Sequence, residues 1–150
     1  MHIETFFPYQ LAITAAAFSR QLVKVYGRDH GLSREEWRLL FLLADAGGLD
    51  SLQIAQRTSL DKVQVSRAAT RLEAKGLITR EVSGSDRRLR NYAVTPEGRS
   101  LFALAFAGVE KRAAEILGAL SPEDHAALLQ GIAALGRAIE ETAKTPDPAS

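Results

Sequence analysis

Residues 61–98 read DKVQVSRAATRLEAKGLITREVSGSDRRLRNYAVTPEG. Asp61 suits a helix N-cap, Gln64 stands at the reciprocal position of a capping box, and Gly76 supplies a stop. Between them Val65, Ala68, Ala69 and Leu72 recur at helical spacing and form one apolar stripe. The opposite face carries Lys62, Gln64, Ser66, Arg67, Thr70 and Arg71. LITREV (77–82) and NYAVT (91–95) then read as two short strands, joined through an arginine-rich tip, GSDRRLRNY (84–92). Thr95-Pro96 opens another helix, because Thr caps well and Pro suits the first helical position. A helix with a cationic outer face thus runs into a hairpin with a cationic tip.

Immediately upstream, Asp50 or Ser51 caps a short helix, SLQIAQRT, in which Leu52, Ile54 and Ala55 are expected to face inward. A break at Ser59-Leu60 separates it from the helix at Asp61. Two short helices joined by a tight turn make a helix-turn-helix, and the hairpin behind them is a wing. Ser33-Arg-Glu-Glu36 reads as a second capping box. The helix it opens, WRLLFLLADA, is apolar nearly all round and is expected to be the central core helix, stopped by Gly47-Gly48. A first helix is expected from about Pro8 to Arg28, with Leu11, Ala15, Phe18, Leu22, Val25 and Tyr26 on one face and Gly27 and Gly31 bracketing its end.

Downstream of Pro96 a long helix reaches about Leu120, with Leu101, Ala105, Val109, Ala113, Ile116 and Leu120 along one side. Ser121-Pro122-Glu-Asp124 repeats the start signal, and Leu128, Ile132, Leu135 and Ile139 mark a last helix. The expected fold is mainly α with a small β-hairpin wing, one domain over residues 1–150. A winged helix-turn-helix at about 33–98 is flanked by helices at about 1–30 and 100–144, with TPDPAS (145–150) as a flexible tail. The flanking helices carry apolar faces that one small domain does not easily bury. Apolar area is worth ~25 cal/mol per Å² wherever it leaves water, so two chains interlocking as a homodimer are expected.

Composition narrows the function. The chain has 150 residues and a formal net charge of +1, but that charge is segregated. From Arg57 to Arg90 nine Lys/Arg stand against four Asp/Glu, 9 − 4 = +5, so the remainder sums to −4. One surface is therefore built to meet an anion. There is no cysteine, which removes disulfides, thiol nucleophiles, thiol redox sensing and cysteine metal sites. No apolar run approaches the ~20 residues that span a bilayer. MHIETFFPY lacks the pattern of a signal peptide, so a cytoplasmic protein is expected. His2, His30 and His125 lack metal-ligand spacing, and no Gly-rich phosphate loop, G-x-S-x-G elbow or HExxH occurs. Neither a cofactor nor a catalytic constellation is expected.

Residues 31–98 resemble the MarR family of bacterial transcriptional regulators. The resemblance is carried by Leu32-Ser33 with Trp37, by RLEAKGLITR between helix and wing, by Asp86-Arg87-Arg88, and by Thr95-Pro96-Glu97-Gly98. It implies a homodimer assembled through the first and last helices, bound to pseudo-palindromic double-stranded DNA operators. It also implies a repressor that a small aromatic or phenolic ligand can release. By the family pattern Arg88 enters the minor groove, whose negative potential attracts guanidinium groups, and Asp86 orients it. Arg87 and Arg90 would touch phosphates. In the major groove Gln64, Ser66, Arg67 and Arg71 can donate or accept at base edges, while Lys62 and Thr70 suit the backbone. Ser51 and Gln53 would hold backbone phosphate from the preceding helix. Phe18, Tyr26, Trp37 and Phe41, with Arg38 or Arg20 as cation, would line the ligand cleft. Two other readings stay open: a winged protein-docking module without DNA binding, and a small enzyme using the interhelical cleft.

Overall fold

A computed structural model describes residues 2–144; the expected tail, 145–150, lies outside them. Its elements in chain order are a 3₁₀ turn (Ile3–Thr5), α1 (Phe7–His30), α2 (Arg34–Ala46), β1 (Gly48–Asp50), α3 (Ser51–Arg57), α4 (Lys62–Ala74), β2 (Ile78–Val82), β3 (Arg90–Val94), α5 (Pro96–Gly118) and α6 (Pro122–Ala143). The chain divides after Arg112 into two compact units.

In the first unit α2 is the hub. It packs against α4, β3, β1 and α1, and its Leu39, Leu40 and Leu43 are fully buried. Ile54 of α3, Leu72 of α4 and Ile78 of β2 complete the dense centre of this core. α4 lies on α2 through Val65, Ala68, Ala69 and Leu72, the stripe expected from the periodicity. Gly76 ends α4 at φ 74°, and Leu77 N–H closes the turn onto Leu72 O at 3.0 Å. α5 begins where Thr95 caps it: Gly98 N–H donates to Thr95 Oγ1 at 3.0 Å, and that hydroxyl donates to Gly76 O at 2.7 Å. In the second unit, Ser121 Oγ accepts from Asp124 N–H and starts α6, none of whose residues is buried. No helix among the described residues is long and apolar enough to cross a membrane.

The structure departs from the sequence reading at several points. α1 is longer than expected and contains Gly27, while Gly31 closes it. α5 stops at Gly118, so Leu120 lies beyond it. The wing is a three-stranded antiparallel sheet, β1-β3-β2, in which Leu49 pairs with Tyr92 and Arg80 pairs with Tyr92 from the other side. β1 has one large apolar residue and no alternation, so only its partner β3 makes it a strand. Leu52 and Ala55 are exposed; the short α3 buries Ile54 alone. Ser33 Oγ does accept from Glu36 N–H at 3.1 Å, but the return bond of a capping box is absent. The Glu36 carboxylate is buried and turned instead to Lys75 Nζ, 2.5 Å away, which also donates to Gly31 O at 2.9 Å. Complete capping boxes stand at Asp50/Gln53 and Asp61/Gln64.

Candidate nucleic-acid interface

The start of α4 is set by its cap. Asp61 Oδ1 accepts from Gln64 N–H at 2.8 Å and Gln64 Oε1 accepts from Asp61 N–H at 3.0 Å, so the side-chain carbonyl of Gln64 is engaged in the turn. Because the apolar stripe is pinned to α2, Lys62, Gln64, Ser66, Arg67, Thr70 and Arg71 are all turned to solvent. Thr70 bends back on its helix, donating to Ser66 O at 2.9 Å and accepting from Arg80 at 3.4 Å. Gln53 is likewise used in the cap of α3.

The hairpin tip is ordered by short-range bonds. Ser83 N–H donates to Leu89 O at 2.9 Å and Leu89 N–H to Asp86 O at 3.0 Å. Asp86 then holds Arg88 three times: the backbone N–H at 3.0 Å, and Nε and Nη2 each at 3.1 Å. Those bonds stabilise the ionised carboxylate and hold the Asp86 pKa below its ordinary value. The Arg88 side chain is still 89% exposed, so it is a guanidinium aimed outward by a carboxylate rather than buried against one. Arg90 N–H donates to Ser51 Oγ at 3.2 Å and ties the base of the wing to the start of α3.

Charge pairing sorts the nine cations of residues 57–90. Lys75, Arg80 and Arg88 have acidic partners; Arg57, Lys62, Arg67, Arg71, Arg87 and Arg90 form no ion pair among the described residues. Arg80, which the sequence reading did not single out as a site residue, joins β2 to α4 through Glu73 at 3.1 Å and Thr70 at 3.4 Å. Nothing local announces that contact. Between α3, α4 and the wing lies an open cleft of about 520 Å³, where Ser51, Lys62, Ser66, Arg80, Arg88 and Arg90 meet above Leu52, Leu60 and Tyr92. Residues up to 39 positions apart in sequence thus present hydroxyl donors and cations toward one space, which suits a polyanion.

The aromatic residues form a second feature. Tyr26 and Trp37 stack at 4.9 Å and 7°, and Trp37 meets Phe102 at 5.4 Å. Phe41 lies edge-on to Phe102 and beside Phe106. Phe102 and Phe106 were missed by sequence reasoning, although an i,i+4 aromatic pair on α5 was the available signal. Phe18 is partly buried on α1 and has no ring contact with this group among the described residues. Burial raises the Tyr26 phenol pKa, against the opposing pull of Arg34 and Arg38. Trp37, Arg38, Phe41, Arg57, Thr58 and Ser59 border a shallow cleft of about 320 Å³, across which Arg38 Nη1 donates to Ser59 Oγ at 3.1 Å. Arg20 is exposed on α1. No group of three His, Asp or Glu side chains is placed to hold a metal ion among the described residues.

A helix-turn-helix built from α3 and α4, braced by α2 and followed by the β2–β3 hairpin, defines a winged helix-turn-helix protein. The MarR family model matches residues 30–89. The homoprotocatechuate degradative operon repressor of Escherichia coli is 27% identical over 130 residues, covering 85% of each chain. Among solved structures, BpsR of Bordetella bronchiseptica has a TM-score of 0.78 at 20% identity, over 91% of this chain and 96% of that one. NadR, solved in complex with 4-hydroxyphenylacetate, has a TM-score of 0.70 at 25% identity, over 87% of this chain and 92% of that one. Residues 30–89 are thus similar to the MarR family of transcriptional regulators, and the fold is shared with BpsR over about nine-tenths of this chain.

Proposed function

We propose that this protein represses transcription as a homodimer bound to pseudo-palindromic duplex operators. The observation that carries the reading is the cleft at which Lys62, Ser66, Arg88 and Arg90 converge, beside the unpaired cations of α4. The major groove is about 12 Å wide and admits one helix, and α4 presents Gln64, Ser66, Arg67 and Arg71 to it. Lys62, Thr70, Arg87 and Arg90, with Ser51 and Gln53, take phosphates, and Arg88 enters the neighbouring minor groove. Exposed Phe6, Phe7, Tyr9 and Ile13 on and beside α1, and Leu128, Leu129, Ile132 and Ile139 on α6, are the surfaces a second copy covers. Two α4 helices then reach half-sites about 10 bp apart, or a multiple of that.

Regulation is proposed through the aromatic cleft, with Trp37, Arg38 and Phe41 as the binding group and the buried Tyr26 stacked behind Trp37; Phe18 does not line this cleft. Its volume is in the range of small-ligand sites. A phenolic carboxylate fits this chemistry, and the NadR complex with 4-hydroxyphenylacetate supports it. A carboxylate on Arg38 competes with Ser59, which lies in the turn before α4. Release of DNA follows if the ligand prefers the arrangement in which that bond is broken.

The test is binding to duplex DNA from upstream of the protein's own gene, against random duplex, across a salt series. A steep salt dependence with a preference of ~10³ or more is expected for a specific regulator. A folded dimer with no duplex binding at low salt refutes the reading and brings the protein-docking alternative forward.

A further inference from the structure

Val63 stands out on α4. It is 57% exposed, an isopropyl group between Lys62 and Gln64 in the first turn, directly after the Asp61 cap. Its direction follows from helix geometry. Leu72 is nine residues further on, and nine steps of about 100° come to about two and a half turns, so the two side chains point to opposite sides of the helix. Leu72 is fully buried against the core, and Val63 therefore sits at the crown of the outward face. Arg67, four residues on, shares that crown. A β-branched residue is a poorer helix former than Ala, Gln or Lys, and at this exposure little packing within the chain offsets that.

Single exposed apolar residues are common on protein surfaces and by themselves mean little. The position of this one is what matters. N-terminal residues of a recognition helix are the ones that meet base edges. In the major groove the apolar group that a base pair offers is the C5-methyl of thymine. We propose that Val63 reads a thymine methyl in each half-site, next to the base pair that Arg67 addresses. The inference rests on the DNA-binding reading above and adds a named base to it.

Duplexes selected from a random library by the full-length protein supply the probe. Each thymine of the selected site is then replaced singly by deoxyuridine, which removes the methyl and nothing else, and affinity is read by fluorescence anisotropy. The expected result is a loss of about fourfold at one symmetry-related pair of thymines, equivalent to ~0.8 kcal/mol for one methyl-sized group. Val63→Ala, expected to keep the wild-type circular dichroism spectrum because Ala is the better helix former, is expected to bind thymine and uracil duplexes equally. A wild-type protein indifferent to every such replacement overturns the proposal. So does a Val63→Ala protein that keeps the same uracil penalty. If the wild type selects no duplex at all, the DNA-binding reading falls and this one with it.

Discussion

Gly98→Ala tests how the wing is joined to the long helix behind it. A Cβ at Gly98 would lie 2.0 Å from the carbonyl oxygen of Leu77, 2.9 Å from its carbonyl carbon and 2.9 Å from Val94 Cγ2. Real Cβ atoms essentially never come within 3.0 Å, so at least 3.0 − 2.0 = 1.0 Å of movement is required. What must move is backbone, and that same carbonyl accepts from Thr95 N–H at 3.0 Å. Forcing an extra carbon into such a contact costs up to about 3 kcal/mol, and the better helix propensity of Ala returns at most about 1. A net loss of about 2 kcal/mol is expected, or roughly 4–8 °C in Tm for a chain of this size. Gly108→Ala is the control. Its Cβ would meet Val25 Cγ1 at 2.9 Å, the end of a side chain rather than backbone, so stability within about 1 kcal/mol of wild type is expected. Urea denaturation of both variants at one protein concentration is the assay. If Gly98→Ala is as stable as Gly108→Ala, the close approach of α5 to Leu77 is wrong.

Three further outcomes can be checked. Arg88→Ala is expected to weaken operator binding by ~1–3 kcal/mol while helicity stays unchanged. In the same variant the Asp86 carboxyl, followed by ¹³C NMR, should rise toward its ordinary value without reaching it, because the side-chain bonds are lost while the backbone N–H of residue 88 still donates to it. The sign follows from the depressed pKa: the pair persists through the usual carboxylate range and is lost only as pH falls beneath it. Lys62→Ala is expected to weaken all duplexes alike and to lower the salt slope by ~1, as loss of one phosphate contact does. Lys75→Ala should destabilise the fold by about 2 kcal/mol in urea, because it strands a Glu36 carboxylate whose side chain is 4% exposed while Lys75 itself is 40% exposed. The pair of changes Glu36→Leu and Lys75→Met should recover most of that loss.

Much of this protein is written locally. Asp61 and Gln64 start α4, Gly76 stops it, and Val65, Ala68, Ala69 and Leu72 select its buried face, all within one short segment. The Asp86–Arg88 pair spans two residues and needs only its own turn. Caps, stops and helical periods act over four residues or fewer, so the order of residues suffices to place them. Other features depend on distant segments meeting. β1 becomes a strand because β3 lies beside it, and Glu36 leaves its capping role because Lys75 arrives 39 residues later. Arg80 braces α4 only once β2 has folded back, and Phe102 and Phe106 join Trp37 and Phe41 only when α5 crosses α2. Leu52 remains outside because the core closes over Ile54. The helices and the charged hairpin were therefore determined by the sequence alone. Which carboxylate meets which cation, and which rings gather around one cleft, was decided only by tertiary packing, since those energies exist only after distant chain segments are brought together.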